Sequence, residues 1–193
     1  MKPARGLVAA GVAVAILAGC STGSEVRTDG PLVGAEGGTR VCVPSDPSVA
    51  VTFGSTLLYN NGSQRLTIDG MRLLDARNVT LVGGYLVPVE GTNLLGDGAP
   101  FPPSRPYVAI AGLAWDRRTT LAGASLSPGG EFAKAGSAAP MNLVIGLVSR
   151  TPAGGAAKGV QLSYHVGGQK YLATSTMGMA IRLRPDTCSD GGH

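Results

Sequence analysis

The chain has 193 residues, enough for one domain plus targeting segments, with 16 Lys and Arg against 12 Asp and Glu and a formal charge of +4. Lys2 and Arg5 sit in the N-terminal segment, so the rest carries only +2, and its cations are scattered apart from the adjacent Arg117 and Arg118. A nucleic-acid reader gathers its cations on one face, so that class of partner is excluded. The 30 Gly and 13 Pro punctuate runs of Val, Leu and Ile, which excludes a disordered chain and points to an all-β domain with many turns.

The first element is not part of that domain. After Lys2 and Arg5, Leu7 to Ala18 is an uncharged run of twelve residues, too short to cross a bilayer as a helix but suited to a signal-peptide core. It ends in Leu17-Ala18-Gly19-Cys20. The segment resembles the lipobox of bacterial prolipoproteins: a Leu, two small residues, then Cys. The resemblance implies diacylglycerol on the Cys20 thiol and cleavage that leaves residues 1–19 as signal peptide. N-acylation of the freed amino group is an optional further step. Two or more acyl chains anchor stably. The membrane is therefore the first expected partner and the outer leaflet of the cell membrane the expected location. No cofactor is expected beyond that covalent lipid. Residues 20–38, Gly/Ser/Thr-rich and interrupted by Pro31, read as the lipidated Cys followed by a flexible tether.

The remaining domain, 39–190, holds two more cysteines. Three Cys in an exported chain leave one over. With Cys20 acylated, Cys42 and Cys188 are expected to form a disulfide that ties the first strand to the chain end. Free thiols or a metal pair are the alternatives, and no C-x-x-C spacing or His cluster supports a metal.

Strands are predicted over 39–43, 49–53, 56–59, 64–74, 79–87, 107–113, 142–149, 160–166 and 170–183, with a short one inside 117–126. In 160–166, Val160, Leu162, Tyr164 and Val166 share one face and Gln161, Ser163 and His165 the other. Across 170–183 the period puts Met177 and Met179 on the face of Ile181 and Leu183. Gly167-Gly168 and Asn60-Asn61-Gly62-Ser63 are hairpin turns. Segment 91–106, GTNLLGDGAPFPPSRP, reads as a long Gly/Pro loop. Many short strands without a helical period favour a two-sheet β-sandwich. The stretch TLLYNNGSQRLTIDGMRLLDARNVTL resembles one edge of an immunoglobulin-like domain. The late unit from Gly159 through Tyr164 and Gly167-Gly168 to Tyr171 is similar to one in exported actinobacterial lipoproteins of uncharacterised function. Neither likeness carries a catalytic residue. Trp115 lies between Cys42 and Cys188, but those cysteines sit too near the domain ends for the antibody-type core disulfide.

Candidate chemistry is sparse. Of the two His, His193 ends the chain, and His165 is the one imidazole placed to act as a base. Neither a G-x-S-x-G elbow nor an S-x-x-K motif followed by K-T-G occurs, so no catalytic residue is assigned. His165 is expected to be a surface side chain. Met177, Met179 and His165 could hold Cu(I), since thioethers select it. Core packing is the more ordinary role of Met. The expected function is a non-enzymatic, membrane-anchored module that binds an envelope protein or glycan, with Phe101, Arg105 and Tyr107 as the contact loop. A copper-binding lipoprotein is the second reading, and a hydrolase built on His165 the third.

Overall fold

The computed structural model describes residues 25–34, 39–89, 94–110, 113–129, 140–184 and 188. In chain order the strands are β1 (Leu32–Gly34), β2 (Arg40–Ser45), β3 (Val51–Asn60), β4 (Leu66–Leu74), β5 (Val79–Pro88) and β6 (Gly96–Pro100). A short helix α1 (Arg105–Ile110) and a 3-10 turn (Trp115–Arg117) follow. The second half supplies β7 (Thr119–Thr120), β8 (Ser125–Leu126), β9 (Met141–Ser149), β10 (Gly155–Ala157), β11 (Gly159–Val166), β12 (Gln169–Ser175) and β13 (Gly178–Leu183).

These strands build an all-β sandwich. One layer is the six-stranded sheet β1–β3–β9–β5–β7, with β6 sharing an edge of β3 with β1. The other is made of two smaller sheets, β12–β11–β4–β8 and β10–β13–β2. Strand pairing is antiparallel except between β13 and β2, which run parallel. The inward faces meet in one core. Phe53 and Leu147 come from the large sheet, Leu66, Ile68 and Leu162 from the four-stranded sheet, and Val43, Met179 and Ile181 from the three-stranded one. Strand β11 keeps the predicted alternation: Val160, Leu162 and Tyr164 are buried, while Gln161, Ser163 and His165 face outward. The disulfide joins Cys42 and Cys188, with Cα atoms 5.7 Å apart across 146 positions of sequence.

Several elements differ from the sequence reading. Of the run predicted as a strand over 107–113, residues 107–110 are helical. Ser104 accepts the Val108 N–H through its carbonyl (3.1 Å), and Pro106 lies in the first turn of α1, where its missing N–H costs nothing. The loop 91–106 contains β6, whose Gly-rich sequence has no apolar period to reveal it. The strand 170–183 is two strands in different sheets. β12 ends at Ser175 opposite Val160, and β13 goes on to pair with β2. Residue parity survives the break because both halves turn the same side inward. Residues 25–34, assigned to the tether, belong to the sandwich: Leu32 is buried in the core and β1 pairs with β3.

Strand β3 carries a bulge between Phe53 and Thr56, a feature that bends a strand and leaves backbone groups unpaired. Two polar side chains satisfy it. Asn142, fully buried, donates to the carbonyls of Gly54 (2.7 Å) and Thr56 (3.0 Å) and accepts the Leu95 N–H (3.1 Å). Asp97 on β6 accepts the Gly54 N–H (2.9 Å) and the Ser55 hydroxyl. Gly54 is required here, since a Cβ would lie 2.8 Å from the Gly96 carbonyl oxygen.

Candidate functional site

The outward face of the six-stranded sheet is covered by the segment that follows β6, and the cover begins at a pair of glycines. Gly83 and Gly146 are cross-strand partners on β5 and β9. Without side chains they leave a notch, and the Phe101 ring lies in it, so that a Cβ on Gly146 would overlap the ring. Phe101 stacks on Tyr85 (centroids 5.7 Å, planes 26° apart), and Tyr85 meets Trp115 edge to face (5.5 Å, 72°). The Arg118 guanidinium sits over both Trp115 (4.9 Å) and Tyr85 (5.5 Å) and donates to the Trp115 carbonyl (3.0 Å). Beneath lies a second apolar cluster of Val87, Val89, Leu95, Val108, Leu113, Trp115 and Val144.

Between α1 and the 3-10 turn this layer opens into a groove of about 420 Å³, lined by Arg105, Val108, Ala109, Leu113, Ala114, Trp115, Asp116 and Arg117. Its lining is mixed: Val108, Leu113 and Trp115 give apolar surface, and Arg105, Asp116 and Arg117 give charged surface. Small-ligand clefts commonly have this size and this mixture of apolar wall and few polar groups.

Of the three residues expected to form a contact loop, Arg105 alone lines this groove. Phe101 is occupied by the glycine notch, and Tyr107 packs partly buried against the second cluster. The sequence reading missed Trp115, Asp116 and Arg117. The one signal for them was the single Trp of the chain followed by three charged residues.

His165 stands on the outward face of the four-stranded sheet, where its Nδ1 meets Asp69 Oδ1 at 2.7 Å, with side chains 40% and 39% exposed. Nearby, Arg72 donates to Gln161 (2.8 Å), and the Ser163 hydroxyl donates to the Gly70 carbonyl (3.4 Å). The pair lies on an open sheet face. Met177 and Met179 are elsewhere. Both border a small space of about 10 Å³ in the inter-sheet core beside Phe53 and Val160, and Met179 is buried. Val160 and His165 are five residues apart on β11, about 17 Å along the strand, and face opposite ways. The structure therefore does not bring the three copper-candidate residues together. Among the described residues no group of three or more His, Cys, Asp or Glu could hold a metal. Cys20 lies outside the described residues.

No protein-family model matches the chain, and neither does any curated protein. Among solved structures, an ASH/PapD-like domain of human CEP192 (PapD-like domain 7) is similar at 10% identity and a TM-score of 0.39, over 81% of this chain and 87% of that one.

Proposed function

We propose that the chain is a lipid-anchored extracytoplasmic module, held at the outer leaflet of the cell membrane by acyl chains on Cys20, that binds an envelope protein or glycan without catalysis. The observation that supports it most is the sorting of the sulfurs. Cys42 and Cys188 are bonded to each other, as befits an oxidising compartment. The remaining cysteine stands at the end of the lipobox-like segment. The groove beside Trp115 is the proposed contact surface. Its apolar wall suits an aliphatic or sugar face on the partner.

Intact-mass analysis of the protein from its native host, with metabolic labelling by an alkyne fatty acid, tests the anchor. A mature chain starting at an acylated Cys20 is expected, with label and processing both lost in Cys20→Ala. A mature chain that starts elsewhere, with a free thiol at position 20, overturns the reading. The groove is tested by in-cell cross-linking of an Ala109→Arg variant, which fills it from an exposed position. Loss of the wild-type cross-linked partners is expected, and an unchanged set removes the groove from the proposal.

A further inference from the structure

The anchored chain has far less slack than its sequence suggests, and the fold shows from which end it arrives. Residues 25–34 clasp the sandwich twice. Arg27 bridges to Tyr171 of β12 in parallel. Its N–H donates to the Lys170 carbonyl (3.1 Å), and its carbonyl accepts the Leu172 N–H (2.8 Å). The Gln169 amide donates to the Glu25 carbonyl (2.6 Å). The chain then passes over the stacked rings of Tyr164 and Tyr171, where Gly30 fits because it lacks a side chain. The Tyr164 hydroxyl accepts the Leu32 N–H (3.2 Å) as the chain joins β3 in the other layer.

Both pairings give the same direction. Strand β12 starts at the Gly167-Gly168 turn, and a parallel partner beside it must come from that end. Strand β3 finishes at Asn60, before the turn at 61–65, and β1 runs antiparallel to it, so β1 starts from that end too. The chain therefore enters at the end of the sandwich formed by these two turns. Glu25 lies five residues beyond Cys20, with four between them, a reach of at most about 18 Å. A tether running to residue 38 would have reached about 60 Å.

We infer that this end of the sandwich, carrying Arg65, Lys170 and Val26, docks on an anionic phospholipid surface. The inference rests on the proposed acylation of Cys20. Arg65 and Lys170 are exposed and make no ion pair with any described residue. Arg27 is paired with Asp29, which holds that carboxyl below its ordinary range, and Glu25 is the one further acid of the entering segment. Val26 is 50% exposed beside the tether, an apolar side chain within reach of the headgroups. Anionic lipids attract cations that come within a Debye length of the surface, and a tether of at most about 18 Å lets these two come that close.

The test uses the full lipidated protein in vesicles of phosphatidylcholine and phosphatidylglycerol that carry a nitroxide-lipid quencher. A fluorophore is placed at exposed Ser63 (Ser63→Cys) or at exposed Ala153 (Ala153→Cys), which lies in the turn after β9 at the opposite end. The other thiols are acylated or bonded, so the label goes to the new one. Quenching about threefold stronger at position 63 than at 153 is expected, with the difference cut by at least about half in Arg65→Glu/Lys170→Glu. Equal quenching, stronger quenching at 153, or no response to charge reversal overturns the docking surface while leaving the anchor intact. The mass of the same sample reports Cys20 acylation separately. An unacylated Cys20 with no vesicle binding defeats the anchor reading, and the docking surface with it.

Discussion

The two faces of the six-stranded sheet are buried by different means. On the inner face, Leu143, Ile145 and Leu147 of β9 meet residues of the opposing sheets in a repeating strand-on-strand pattern. On the outer face, Val144 and Val87 are covered by a short helix, a 3-10 turn and an aromatic row. Each outer contact is used once: a ring on a glycine, a guanidinium on an indole, an amide on a bulge. The inner face would tolerate many apolar exchanges of similar volume, whereas the outer face depends on individual residues. The candidate groove lies in the outer layer, where irregular covering leaves concave space.

The largest expected effect falls on the residue that joins the two regions. Asn142→Leu is nearly equal in size but leaves the Gly54 and Thr56 carbonyls and the Leu95 N–H without a partner. Buried groups left unsatisfied cost about 1–3 kcal/mol each, so a loss of at least about 3 kcal/mol in urea unfolding is expected. A loss below about 1 kcal/mol would mean that the bulge satisfies itself and that the two faces are independent. Next comes Trp115→Ala, with about 3 kcal/mol lost. Its hydrogen exchange should be uneven, with faster exchange over 105–118 and unchanged protection in β3 and β9. Equal acceleration in those strands would show that the outer layer is no separable unit.

How far this was legible follows from the same contrast. Regular alternation in 160–166, the Gly167-Gly168 turn and the cysteine count carried enough information to place β11, its hairpin and the disulfide. The double cover was written in β9 as well, where Asn142 to Leu147 are six consecutive buried residues. Such a run marks a strand covered on both sides, but nothing in it says which segment covers the second side. Phe101, Arg105 and Tyr107 were grouped as one surface because an aromatic in a Pro-rich segment carries no sign of whether it turns inward. What decides for Phe101 is a glycine forty-five positions later. Residues 25–34 were unreadable for a similar reason. Their hydrogen bonds are to backbone far along the chain, and backbone pairing leaves no side-chain period of its own.

A smaller effect is expected from Gly146→Ala. The added methyl displaces the Phe101 ring, and overpacking of this kind costs about 1–3 kcal/mol. Phe101→Leu in the same chain should recover part of that loss, because a smaller side chain leaves room in the notch. If the double variant is less stable than the sum of the two singles predicts, the ring is not what the methyl meets.

The smallest effect belongs to the outward face of the four-stranded sheet. Asp69 and His165 are hydrogen-bonded at 2.7 Å but about two-fifths exposed, so water competes for both and salt screens them. A double-mutant cycle with Asp69→Asn and His165→Gln should give a coupling of no more than about 1 kcal/mol, as exposed pairs do. That would place the outer face of the four-stranded sheet in a third category beside the two faces of the large sheet: polar, open and energetically slight. A coupling above about 2 kcal/mol would break the contrast at its premise. An exposed pair cannot supply that much, so the face would have to be covered in solution as the outer face of the large sheet is covered here.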